Sequence, residues 1–96
     1  MQERSVIISN RLGLHARAAA KLVQCAAQFV SQVEIQREDG GQTVDGKSIL
    51  SVLLLAAAAG TRLVIKTEGA DEERAAEAIV QLIENRFGEE VSDGLY

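Results

Sequence analysis

The stretch Gly13-Leu14-His15-Ala16-Arg17-Ala18-Ala19-Ala20-Lys21-Leu22 holds the only histidine among 96 residues. An arginine stands two positions on, and a run of strong helix formers follows. The turn-forming Asn10-Arg11-Leu12-Gly13 precedes it, which sets His15 at the start of a helix. The first backbone N–H groups of a helix have no intrahelical partner, and the positive end of the macrodipole lies there, so the place suits a phosphate. A neutral imidazole nitrogen can attack phosphorus and later release the group. The backbone amides of Ala16 and Arg17 can hold phosphoryl oxygens, and the Arg17 guanidinium can meet the charge that spreads in the transition state. The alternative is a histidine that merely caps the helix and an arginine that is merely solvated. Residue types alone leave both open.

Ser48, in Val44-Asp45-Gly46-Lys47-Ser48-Ile49-Leu50, is an N-cap by its type and position. Its alternative role is a regulatory phosphorylation site, where added charge would act on a partner's docking. Gly41 followed by Gly46-Lys47-Ser48 formally fits the spacing of a nucleotide phosphate loop. The residues between read as a hairpin strand rather than a loop, and the chain is too short for a nucleotide-binding α/β domain, so the match is accidental. Cys25 lies beside an apolar stripe and reads as a packed thiol. Ile49, Leu50 and Leu53-Leu54-Leu55 put apolar residues on more sides of one short helix than a single core needs. Either the helix is deeply buried, or Ile49, Leu50 and Leu53 form a docking patch near His15.

The elements that must position these residues follow from periodicity. Ser5–Ser9 reads as a strand. Helical spacing runs from Ala16 to about Val30 through Ala19, Leu22, Val23, Ala26, Phe29 and Val30, with Lys21, Gln24 and Gln28 on the other side. Val33–Gln36 alternates as a strand, Glu38–Gly41 turns, and Gln42–Asp45 returns as a hairpin arm. A helix spans Ile49 to about Ala58, with Gly60 past its end. Thr61–Thr67 is a further strand. The last helix opens near Asp71, with Glu72 and Glu73 complementing the dipole, and buries Ala75, Ala76, Ile79, Val80, Leu82, Ile83 and Phe87. Arg86 falls in its last turn and Gly88 suits the cap. The order βαββαβα, with one apolar face per element, implies an α+β open-faced sandwich: a four-stranded antiparallel sheet with three helices on one face. One domain is expected over residues 1–88, with a polar tail over 89–96.

A net charge of −4 argues against nucleic-acid binding, which wants a basic patch. A single cysteine cannot form an internal disulfide and fits a reducing cytoplasm. The first residues lack a signal pattern, and the most apolar stretch, Ile49–Ala59, is too short to insert in a membrane as a helix.

Gly13-Leu14-His15-Ala16-Arg17, then Ala19-Ala20-Lys21-Leu22, then Lys47-Ser48-Ile49-Leu50, resemble the HPr family, the histidine-containing phosphocarriers of the phosphoenolpyruvate-dependent phosphotransferase system. The resemblance spans nearly the whole chain and implies the same open-faced sandwich. It implies that His15 takes a phosphoryl group on Nδ1 from phosphorylated enzyme I and hands it to enzyme IIA-type components or regulatory acceptors, with Arg17 assisting. It further implies that Ser48 is a target of HPr kinase/phosphorylase, and that partners dock on Ala20, Ile49, Leu50 and Leu53. No cofactor or metal is implied, and the carrier is a monomer and a substrate of enzymes rather than a turnover catalyst. Many relatives carry proline after the motif arginine where this chain has Ala18. Alanine keeps a backbone N–H there, and the departure leaves the branch open: carbohydrate uptake, nitrogen-related or purely regulatory. The rival classes are a small-molecule-sensing regulatory domain, which needs a ligand pocket, and a phosphohydrolase, which needs a second acid or base that the chain does not offer.

Overall fold

Alternation decides which face of each strand is buried. Val33 and Ile35 of β2 (Gln32–Arg37), and Leu63, Ile65 and Thr67 of β4 (Arg62–Glu68), point into the core, while Glu34 and Glu68 face solvent. In this computed structural model, which describes residues 1–89, β1 (Gln2–Ile7) and the short β3 (Val44–Asp45) complete an antiparallel sheet of order β1-β4-β2-β3. Helices α1 (Ala16–Ala27), α2 (Ile49–Leu54) and α3 (Glu72–Glu84) pack over one face of it. The expected βαββαβα sandwich is the observed one. Ala18, Ala19 and Ala26 of α1 and Ala75 and Ala76 of α3 are buried. Small side chains there let the helices approach closely around a mostly aliphatic core, which closes on Phe87. No helix among the described residues is long and apolar enough to cross a membrane.

Element ends depart from the periodicity in instructive ways. β1 begins at Gln2 rather than Ser5, because the polar residues Gln2–Arg4 pair with β4 through their backbone, which asks nothing of their side chains. Pairing on this edge also continues past Ile7, with the Ile8 N–H donating to Thr61 O at 2.9 Å. β3 is only Val44–Asp45, shorter than Gln42–Asp45.

α1 stops at Ala27, short of Val30, and Val30 is 78% exposed rather than in the core. The cause lies at the start of α3. The Asp71 carboxylate accepts the Val30 N–H at 3.1 Å, the Ser31 N–H at 3.0 Å and the Ser31 hydroxyl at 2.5 Å, pulling the chain out of the helix. These bonds hold Asp71 below the ordinary carboxylate range, the Ser31 hydroxyl contributing most. A carboxylate depressed by native contacts adds stability above its unfolded pKa and loses it as pH falls through the folded value. Asp71→Asn is therefore expected to flatten the acid limb of stability. Urea unfolding from pH 5 down to pH 2.5, about the range in which an aspartate titrates, checks this, and equal slopes in the two proteins would contradict it.

α2 ends at Leu54 although Ala56–Ala59 are good helix formers. Ala56 has φ +49°, the Arg37 guanidinium takes the carbonyls of Leu55 at 3.1 Å and Ala56 at 3.3 Å, and Ala57 O accepts the Leu14 N–H at 2.8 Å. Each carbonyl finds a tertiary donor, so helical propensity is overridden.

Candidate functional site

The site starts from the tight loop before α1. Asn10 is 1% exposed and donates through Nδ2 to Gly13 O at 2.7 Å, while the Gly13 N–H donates to Asn10 O at 3.1 Å. Gly13 has φ +70°, and a Cβ there would lie 2.7 Å from Ala57 O. Only glycine fits that close approach in that conformation. The loop is thus clamped against the segment that follows α2, and His15 leaves it in one direction.

His15 is the N-cap of α1, with extended backbone (φ −77°, ψ −178°). Its Nδ1 accepts the Arg17 N–H at 3.3 Å, while its Nε2 is bonded to the Glu89 carboxylate. An N–H pointing at Nδ1 and a carboxylate at Nε2 are compatible with one neutral tautomer, Nε2–H with a lone pair on Nδ1. Nδ1, with its lone pair, is therefore the nitrogen that faces the helix N-terminus. Ala16, Arg17 and Ala18 contribute first-turn N–H groups, and the first intrahelical bond is Ala19 N–H to His15 O at 2.8 Å. The Arg17 side chain is exposed and makes no hydrogen bond or ion pair to the described residues. Its guanidinium can swing to an arriving phosphate.

Glu89 was expected to open a polar tail. Instead its side chain is only 10% exposed, bonded to His15 through Oε2 and to Asn10 Nδ2 through Oε1 at 3.0 Å. It arrives by an unusual route. α3 ends at Glu84, not at Arg86, and Arg86, Phe87 and Gly88 then take φ +57°, +54° and +75°. The left-handed region costs a non-glycine residue about 1–2 kcal/mol, and here burial of Phe87 offsets it. Lys21, read as solvent-facing, fastens the same turn by donating from Nζ to Phe87 O at 2.6 Å. An aromatic in an otherwise polar segment after α3 was the one available signal of an anchor there. Residues 90–96, the rest of the expected tail, lie outside the described residues.

Ser48 is the N-cap of α2, half-buried, its Oγ accepting the Ser51 N–H at 3.4 Å. Lys47 Nζ donates to Phe29 O at 2.7 Å, and Val44–Asp45 is a hairpin arm, so the accidental phosphate-loop spacing has no loop to build. Val52 and Leu55 fill the core, whereas Ile49, Leu50, Leu53 and Leu54 are exposed, Leu50 at 62% and Leu54 at 78%. The short helix is thus apolar on two sides, one of them open to solvent. Ala20 is half-buried on α1, which packs against α2. Cys25 is half-buried, and burial pushes its thiol up from the ordinary value, as for a packed residue.

A loop–histidine–helix start of this kind recurs among known proteins. A family model described as the PTS HPr component phosphorylation site matches residues 2–85. The chain is 52% identical to the phosphocarrier protein HPr of Cupriavidus necator, over 93% of this chain and 98% of that one. This chain belongs to the HPr family. The HPr of Pseudomonas aeruginosa is 51% identical over 88% of this chain and 92% of its own. Among solved structures, an HPr from Thermoanaerobacter tengcongensis superposes with a TM-score of 0.86 at 41% identity, covering 92% of this chain and 97% of that one. Membership of the HPr family makes the chain a phosphocarrier-type protein of the phosphotransferase system.

Proposed function

We propose that this chain carries a phosphoryl group on Nδ1 of His15, received from phosphorylated enzyme I and delivered to enzyme IIA-type components or regulatory acceptors. One observation carries the reading: Nδ1 of the ring accepts the Arg17 N–H at the N-terminus of α1, while Nε2 meets the Glu89 carboxylate. The Nδ1 lone pair attacks phosphorus as the donor's P–N bond breaks, and the departing electron pair returns to the donor's imidazole. The Arg17 N–H, now spent on Nδ1, turns to a phosphoryl oxygen together with the Ala16 amide, and the Arg17 guanidinium meets the charge on the remaining oxygens. The extra N–H at Ala18 adds a donor at the first turn. Onward delivery runs the same bonds in reverse, so the chain orients the group and needs neither metal nor cofactor.

Transfer between histidines is nearly balanced, so each partner must bind briefly. A small, partly apolar interface over Ala20, Ile49, Leu50 and Leu53, extended by the exposed Leu54, suits such a carrier acting as a monomer in the cytoplasm. Ser48 stands immediately before this patch. A phosphate placed on it by HPr kinase/phosphorylase would put charge into an apolar interface and weaken acceptance from enzyme I. ATP and that kinase are expected to add one phosphate to the wild-type chain and none to Ser48→Ala, and equal labelling of both would remove Ser48 from the reading.

Intact-protein mass spectrometry after incubation with enzyme I, magnesium and phosphoenolpyruvate tests the carrier role. A single acid-labile phosphoryl addition is expected. A folded chain that takes none would leave an HPr-type domain with a regulatory role only.

A further inference from the structure

The segment that seats the histidine loop is itself held open by a side chain from the sheet. By composition Leu55–Ala58 would continue α2, yet Ala56 has φ +49°. That residue is exposed, so no burial of its own methyl offsets the conformation. The offset comes from Arg37 at the end of β2. Its Nη1 donates to Leu55 O at 3.1 Å and to Ala56 O at 3.3 Å, and α2 has no basic residue of its own in its last turn. Nε and Nη2 donate to the two carboxylate oxygens of Asp39, at 3.0 and 2.9 Å, which fixes the plane of the guanidinium. The next carbonyl, Ala57 O, accepts the Leu14 N–H at 2.8 Å, and the same oxygen lies 2.7 Å from where a Cβ on Gly13 would stand. Leu14 is buried and directly precedes His15.

We propose that Arg37 is a positioning residue for phosphoryl transfer: held by Asp39, it keeps Leu55–Ala57 out of the helix so that Ala57 O seats the loop that carries His15. This rests on the carrier reading above and deepens it. Left to its propensity, the alanine run would wind on from α2, and Ala57 O would turn along the helix axis toward the Thr61 N–H instead of toward Leu14. The Leu14 N–H would lose its acceptor, which is unfavourable for a buried donor. Nδ1 of His15 and the first amides of α1 would then meet the phosphoryl group over a wider spread of orientations. Misplacement by about 1 Å, caused far from the reacting atoms, can lower a rate about a hundredfold. Arg37 itself does not touch the phosphate. It acts through three consecutive residues of backbone, and the exposed Asp39 acts through Arg37.

The test compares Arg37→Ala and the double variant Arg37→Ala/Ala56→Gly with the wild type, all as full chains. Rapid-quench transfer from phosphorylated enzyme I gives the maximal rate and the half-saturating concentration of each. Amide hydrogen exchange is followed at Leu14 and, as a measure of global stability, at Ile65 in the central strand β4. Arg37→Ala is expected to lower the maximal rate about tenfold and to speed exchange at Leu14 much more than at Ile65. Glycine takes a positive φ without strain and resists helical winding, so the double variant is expected to recover most of both losses. A wild-type rate with wild-type exchange at Leu14 in Arg37→Ala would overturn the role. So would a raised half-saturating concentration at an unchanged maximal rate, which marks a loss of docking on α2. Equal acceleration of exchange at Leu14 and Ile65, with no recovery in the double variant, would overturn it as a loss of global stability. Each of these results leaves the carrier reading intact. A wild-type chain that takes no phosphoryl group from enzyme I would overturn the carrier reading, and the proposal with it.

Discussion

Replacing His15 with alanine is expected to abolish phosphoryl acceptance while leaving the fold in place. The chain has no second histidine, and among the described residues no other nucleophile sits at the start of α1. Transfer from enzyme I to His15→Ala should therefore fall below detection in the mass spectrum. The protein should still fold, because His15 contributes little to stability. Its cap bond is long, at 3.3 Å, and its side chain is 28% exposed. Loss of an N-cap costs about 1 kcal/mol, a small part of the roughly 5–15 kcal/mol typical of a domain. Circular dichroism and urea unfolding of the variant separate the two effects. An acid-labile phosphoryl group that persists on folded His15→Ala would place the acceptor elsewhere in the chain.

Phe87→Ala carries the largest expected loss of stability. Phe87 is 1% exposed and closes the core beyond the end of α3. Truncating a buried phenylalanine costs about 3–5 kcal/mol in lost transfer energy and residual cavity. Alanine keeps the Cβ that makes φ +54° unfavourable, so the strain remains without the burial that offsets it. The urea midpoint should fall at nearly unchanged slope. The turn also delivers Glu89 to His15. A loss under about 1 kcal/mol would mean that the left-handed turn is not held by core packing.

These two substitutions probe parts of the molecule that were unequally legible in the residues. The His15 and Arg17 motif is local. The type of His15, its helix-start position and the N–H groups beside it depend on a few consecutive residues, so its place in the fold and the alternating strands could be read directly. Gly13 likewise reads as a turn, although the reason only glycine serves, the approach of Ala57 O, is tertiary. The ends of α1 and α2 were not legible. Asp71 stops α1 from far along the chain, and Arg37 together with Leu14 unwinds an alanine run that propensity alone would keep helical. Exposure of Leu50 and Leu54 was undecidable from periodicity, because a short helix rich in leucine is equally consistent with full burial.

By itself, then, the sequence determined the order of elements, the face each one buries and the place of the histidine at a helix start, since these depend on residue type and spacing over a few positions. Tertiary structure alone decided what meets the ring at Nε2: the Glu89 carboxylate, held at the histidine by Asn10, Phe87 and Lys21 from three separate stretches of chain. Apart from the aromatic Phe87, which signals an anchor, the local pattern around residue 89 does not encode its neighbours, because the contact exists only once the backbone has reversed after α3 and packed that anchor into the core.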